Sequence, residues 1–157
     1  MATPNIAGYE VLEQVGRGGF ASVHRAIDPD GTEVAIKMLF SHVQDTSDLK
    51  RFERERLSMS ALGGHPHIVG ILDSGENEDG HHWMALEYVN GGSVKEQLTT
   101  NGAFHWSTVA RIGVQLCSAL MAAHRSGVLH RDIKPANILD DGAGAKLADF
   151  GLSLIHI

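Results

Sequence analysis

Residues 9–15, Tyr9-Glu10-Val11-Leu12-Glu13-Gln14-Val15, alternate apolar and polar side chains, the period of a strand with one buried face. After the glycine-rich segment Gly16-Arg17-Gly18-Gly19-Phe20-Ala21, the run Ser22-Val23-His24-Arg25-Ala26-Ile27 again reads as extended, and Asp28-Pro29-Asp30-Gly31 has the composition of a turn. A third strand is expected over Glu33-Val34-Ala35-Ile36-Lys37. Across residues 48–57 the spacing becomes helical, with Leu49, Phe52, Arg56 and the stretch from Met59 to Ala61 around one face. Trp83-Met84-Ala85-Leu86-Glu87-Tyr88-Val89 is an apolar strand running into Asn90-Gly91-Gly92-Ser93. Between Ser107 and His124, Val109, Ile112, Leu116, Leu120 and Ala123 recur at steps of three and four, which predicts a helix with a buried face. Cys117 lies within that run and is expected as a packed core thiol.

Composition narrows the class. A chain of 157 residues, 43% of them hydrophobic, is long enough for one globular domain with its own core. The net charge of −6 gives no general reason to expect nucleic acid or an anionic membrane as partner, since either calls for a basic face. A single cysteine rules out an internal disulfide and fits a reducing compartment. The start, Met1-Ala2-Thr3-Pro4-Asn5, lacks the basic-then-apolar order of a secretory signal, and no stretch reaches the roughly twenty apolar residues of a membrane helix. The visible chain is therefore expected in the cytoplasm; a membrane anchor downstream is left open.

Several segments carry chemistry. Glycines let a backbone turn tightly and lie close over phosphate oxygens, so Gly16, Gly18 and Gly19 are candidate phosphate-binding positions. A dinucleotide-binding loop of Rossmann type competes for this signal, but it needs a helix at residues 20–27, where the pattern is extended. His65-Pro66-His67 and His81-His82 bring histidines together without the cysteines or carboxylates that would complete a ligand set, which favours structural or surface roles. The densest signal is His130-Arg131-Asp132-Ile133-Lys134-Pro135-Ala136-Asn137-Ile138-Leu139, followed by Ala148-Asp149-Phe150-Gly151.

These last two segments resemble the catalytic loop and DFG motif of eukaryotic-type serine/threonine protein kinases, as found in bacteria. The resemblance extends to Gly16-x-Gly18-x-x-Ala21-x-Val23 as the glycine-rich loop, with alanine at its third position, and to Val34-Ala35-Ile36-Lys37 as the lysine-bearing third strand. It implies ATP and Mg2+ as cofactors and a protein Ser/Thr hydroxyl as acceptor. Phosphoryl transfer then needs a carboxylate to orient the hydroxyl and oxygen ligands for the metal. By resemblance, Asp132 is that carboxylate, Lys134 neutralises the transferring phosphate, and Asn137 and Asp149 are the Mg2+ ligands. Lys37 binds the α- and β-phosphates with Glu55, chosen over Glu53, as its ion-pair partner. Leu86 matches the gatekeeper, the backbone of Glu87 and Val89 would bond the adenine, and Val23, Ala35 and Leu139 match the apolar walls around it. His65-Pro66-His67-Ile68-Val69 resembles the turn and strand after the helix. Arg131 implies regulation by phosphorylation of an activation loop.

The implied fold is α+β and protein-kinase-like: an antiparallel-sheet small lobe with one main helix, then the first part of a mainly helical large lobe. Residues 1–8 are read as an N-terminal extension, 9–89 as small lobe and hinge, and 90–151 as an incomplete large lobe. The tail Leu152-Ser153-Leu154-Ile155-His156-Ile157 does not resemble an activation loop and can be encoded by the start of a transposase end sequence used in library adapters. It is read as non-native, with the authentic protein continuing. On this reading the fragment is expected to expose apolar surface around Leu116, to be unstable or aggregation-prone, and to show little kinase activity alone. The alternative function is a nucleotide-binding, pseudokinase-like interaction module.

Overall fold

A computed structural model describes residues 4–40 and 46–150; the tail at 152–157 lies outside these. The chain divides into two compact units, residues 1–56 with 71–88, and residues 57–70 with 89–157.

The first unit is built on one antiparallel sheet of strands β1 (Glu10–Arg17), β2 (Ala21–Ile27), β3 (Glu33–Leu39), β4 (Ile71–Glu76) and β5 (His82–Glu87), in the order β1-β2-β3-β5-β4. Alternation decides its faces. Ala26, Val34, Ile36, Trp83 and Ala85 form a buried cluster with Met38 and Ile6. Val23, Ala35, Lys37 and Met84 occupy the other face, Lys37 being in register with both Val23 and Met84. Ile6 packs into the cluster, and Asn77 Nδ2 donates to the carbonyl of Asn5, so residues 5 and 6 are part of this unit's packing. Tyr9, which the periodicity puts in the first strand, makes an isolated bridge with Ile6 and sets its ring edge-on to Trp83. Strand β2 occupies residues 21–27, which excludes the helix a Rossmann loop requires.

Helix α1 (Thr46–Ala61) buries Phe52, Glu55 and Met59. The expected face is thus corrected: it carries Glu55, while Arg56 is only half-buried and pairs with Glu53. Spacing alone favoured Arg56 because 52, 56 and 59 satisfy the helical period as well as 52, 55 and 59 do.

In the second unit the segment 65–69 forms a turn and one isolated bridge, Ile68 to Leu147, where a strand was expected. Its histidines are tied structurally: the His67 N–H donates to His65 Nδ1, His65 Nε2 meets Ser118 Oγ at 3.2 Å, and His67 Nδ1 donates to the Ala145 carbonyl. Helix α2 (Val94–Asn101) begins with a capping box in which Ser93 and Glu96 exchange hydrogen bonds and ends at Gly102 (φ 78). Helix α3 (Trp106–Arg125) buries Ile112, Ala119 and Ala123.

Two expectations for α3 are corrected. Val109 is exposed, and so is Cys117. Residue 117 stands about 100° around the helix from 116, on the side with exposed Val114 and Met121, so an apolar run did not make it a core position. A 3-10 turn (Pro135–Asn137) leads into the short hairpin of β6 (Ile138–Asp140) and β7 (Ala145–Leu147).

Candidate functional site

Each unit carries part of the motif set. In the first, β1 runs further than its hydrophobic alternation: Gly16 pairs with Val23 and Arg17 with Ser22, and the Gly18 N–H closes the turn on the Ala21 carbonyl at 2.8 Å. Two register shifts in β1, between Val11 and Gln14 and between Gln14 and Gly16, precede this turn. Such irregularities bend a strand and re-aim the residues after them. No atom would meet a side chain at Gly19 within 4 Å, so its backbone is open to close approach.

Lys37 is a buried charge of this unit. Its Nζ lies 2.7 Å from both Glu55 carboxylate oxygens, and the two side chains are 7% and 1% exposed. A charge this deep persists only when paired, and removing one partner of such a pair typically costs about 3–5 kcal/mol. The Phe20 ring, which motif reading left without a role, stands 5.8 Å from Nζ. Helix α1 and strand β3 are therefore joined at the residue pair the sequence singled out. Glu53 instead pairs with Arg56 on a more exposed side of the helix. Ala35 lies beside Leu86 across β3 and β5, and Glu87 opposite Val34 is the last residue of β5.

In the second unit, Asp132 and Asn137 converge. Asn137, 4% exposed, donates from Nδ2 to the Asp132 carbonyl at 2.8 Å and to Asp132 Oδ2 at 3.1 Å. With the amide hydrogens engaged there, Oδ1 is the atom Asn137 can offer to a cation. Lys134 Nζ lies 2.8 Å from Asp132 Oδ2. The hydrogen bond from Lys134, with a further one from Asn137, holds the Asp132 carboxyl below the usual aspartate range. It therefore stays ionised at neutral pH.

His130, buried and unassigned by motif chemistry, organises this loop. Its Nε2–H donates to the Ala148 carbonyl at 2.7 Å, which leaves Nδ1 to accept the Asp132 N–H at 3.2 Å. Its ring packs edge-on against Phe150, itself fully buried. The Ala148 N–H donates in turn to the Asn137 carbonyl. One imidazole thus ties the peptide of Asp132 to the residue before Asp149. Among the described residues, the non-glycine positions with positive φ are Arg131 (67°) and Asp149 (60°). Each such conformation costs on the order of 1–3 kcal/mol and persists where surrounding contacts over-determine it. Both sit at the two acids the sequence selected. Leu139 is half-buried in β6, opposite Lys146, and bridges to Ser93; Val89 is buried, and its carbonyl accepts the Gly92 N–H.

Residues 9–156 match the family model for the protein kinase domain. The serine/threonine-protein kinase PknK of Mycobacterium tuberculosis is 41% identical over 151 residues, covering 95% of this chain and 14% of PknK. PrkC of Bacillus subtilis, also a serine/threonine-protein kinase, is 44% identical over 148 residues, 92% of this chain and 22% of PrkC. The probable serine/threonine-protein kinase PknB of Lactococcus lactis is 36% identical over 149 residues, again 92% of this chain and 23% of its own length. The chain thus spans less than a quarter of each of these curated relatives.

Proposed function

This chain belongs to the protein kinase family, in company with bacterial serine/threonine kinases, and from that membership we propose that its whole protein transfers the γ-phosphate of Mg-ATP to a protein Ser or Thr hydroxyl. The observation that carries the reading is the Asp132 carboxylate, held ionised between Lys134 and Asn137. Such a group orients the acceptor hydroxyl and takes up its proton.

The residues fit the groups they would bind. Asn137 Oδ1 and the Asp149 carboxylate are hard oxygen donors of the kind Mg2+ takes. The ion would supply charge neutralisation on the phosphates. The Lys37 ammonium, fixed by Glu55, would offset phosphate charge in the first unit, and Lys134 would do so in the second. Gly16, Gly18 and Gly19 would let the β1–β2 turn lie close over phosphate oxygens. Val23, Ala35 and Leu139 would flank the adenine, Leu86 would stand as gatekeeper, and the peptides of Glu87 and Val89 would bond its edge. Dependence on ATP fits a domain that works in the cytoplasm, and its acceptor is a protein.

Residues 1–157 by themselves are expected to transfer phosphate weakly, because Leu129 and Ile133 beside the catalytic carboxylate lie open to solvent. The test uses radiolabelled Mg-ATP and a generic basic protein substrate, with the full-length protein and the 157-residue chain side by side. Asp132→Asn in the full-length protein is expected to lower incorporation by about 100-fold or more while nucleotide binding is kept. Nucleotide binding without turnover in the unmodified full-length protein would instead establish a pseudokinase-like module.

A further inference from the structure

Strand β6 ends on a buried acid to which no motif gives a task. Asp140 has a side chain only 2% exposed, paired with Arg111 of α3, whose side chain is 29% exposed. The contact is bidentate: Nη1 donates to Oδ1 at 3.1 Å and Nη2 to Oδ2 at 2.7 Å. The main chain of Asp140 is fully engaged too. Its N–H donates to the Gly92 carbonyl at 3.1 Å, and its carbonyl accepts Gln97 Nε2 at 2.6 Å. The same Gln97 amide reaches the Gly91 carbonyl at 2.9 Å. Gly91 approaches so closely that a Cβ there would stand 1.8 Å from the Asp140 oxygen, so no other residue fits without a backbone shift. Arg111 Nη1 also donates to Gln115 Oε1, which accepts the N–H of Ala145, the cross-strand partner of Asp140.

A buried ion pair is weak evidence of a stability device, because well-packed apolar residues in its place are often neutral or stabilising. What this pair does uniquely is geometric. It anchors to α3 a residue of β6 whose main chain is held against the segment 91–92. Val89 precedes Gly91 by two residues; Leu139 and Asn137 precede Asp140 by one and three. We propose that Arg111 and Asp140 are positioning residues for nucleotide binding, fixing the register of the 89–92 segment against β6 and so the spacing of Val89 from Leu139 and Asn137. The assignment rests on the nucleotide-binding reading above.

Titration calorimetry of the full-length protein with Mg-AMPPNP, alongside thermal melting, separates the two. The wild-type full-length protein is expected to bind and Lys37→Met to fail; a wild-type protein that does not bind overturns the nucleotide reading and this inference with it. Given binding, the decisive variant joins Arg111→Met to Asp140→Leu, which leaves no unpaired buried charge. It is expected to melt as the wild type does while binding about tenfold more weakly, the size of effect typical for partners that orient a ligand-bearing residue. Arg111→Lys, which keeps the charge but not the bidentate contact, is expected to fall between. Wild-type affinity in the double variant, or affinity that merely follows the melting temperature across the set, overturns the positioning role. Should the double variant fail to fold, Arg111→Lys decides: native melting with weakened binding supports the role, and native binding overturns it.

Discussion

Asp132 and His24 show how surroundings decide what a titratable residue does. Asp132 accepts from a lysine and an amide and is held ionised. His24, in β2, is buried with Nε2 against Ser22 Oγ, and its Nδ1 has no hydrogen-bond partner. An unsatisfied buried group of this kind costs about 1–3 kcal/mol. Burial also lowers the His24 pKa below its ordinary value. The neutral ring is therefore the folded form: its contribution is complete above the unfolded value of about 6.5 and is lost as pH falls from there through the depressed folded value. We expect His24→Leu to hold or raise the urea midpoint at pH 7 and to flatten the decline in stability as pH falls below about 6.5. An unchanged acid slope in the variant would assign that decline to other groups. The pairing of Lys37 with Glu55 and the convergence of Asn137 and Lys134 on Asp132 were legible in the sequence because these residues sit in segments of fixed residue type and spacing. His24 was not, because nothing in a two-residue period distinguishes a buried histidine from an exposed one. Asp140 and Arg111, 29 positions apart, gave no local signal of their pairing.

Between elements, the Lys37 to Glu55 contact ties α1 to β3. Lys37→Met removes the ammonium that meets both oxygens of the buried Glu55 carboxylate and is expected to cost about 3–5 kcal/mol in urea unfolding, whereas Lys37→Met with Glu55→Leu is expected to recover most of that loss. Neither should bind Mg-AMPPNP. Recovery of binding in the double variant would show that the pair serves packing alone. Long, strongly periodic elements were readable: β1 to β3, β5, α1 and α3 all occur where alternation or helical spacing puts them. Their rotation was less so. Helix α3 is apolar on more than one side, so its period fixed the helix but not whether Val109 and Cys117 face inward, and both are exposed. Helix α2, at eight residues, has too few turns to show a stripe, although Ser93 and Glu96 carry its capping signature. Strands β6 and β7 have three residues each, below the length at which alternation can be recognised.

At the scale of the whole chain, exposed apolar side chains are concentrated on α3 and around residues 129–133: Trp106, Val109, Val114, Met121, Leu129 and Ile133. Apolar surface gathered in this way favours association. We expect the 157-residue chain to sediment with a mass that rises with concentration, and Val114→Lys with Met121→Lys to lower that rise without altering the circular dichroism spectrum. A mass independent of concentration would show that these side chains do not drive association.

The chain has two tryptophans, and the fold deals one to each unit. Trp83, 7% exposed, is packed in the sheet against Tyr9; Trp106, 75% exposed, opens α3. Indole emission shifts to longer wavelength in water, so the native spectrum is a sum of a blue and a red component with separate structural origins. Trp106→Phe leaves a lamp inside the sheet alone, and its colour, followed beside the circular dichroism of the helices, reports whether that unit melts ahead of, or together with, the helical one.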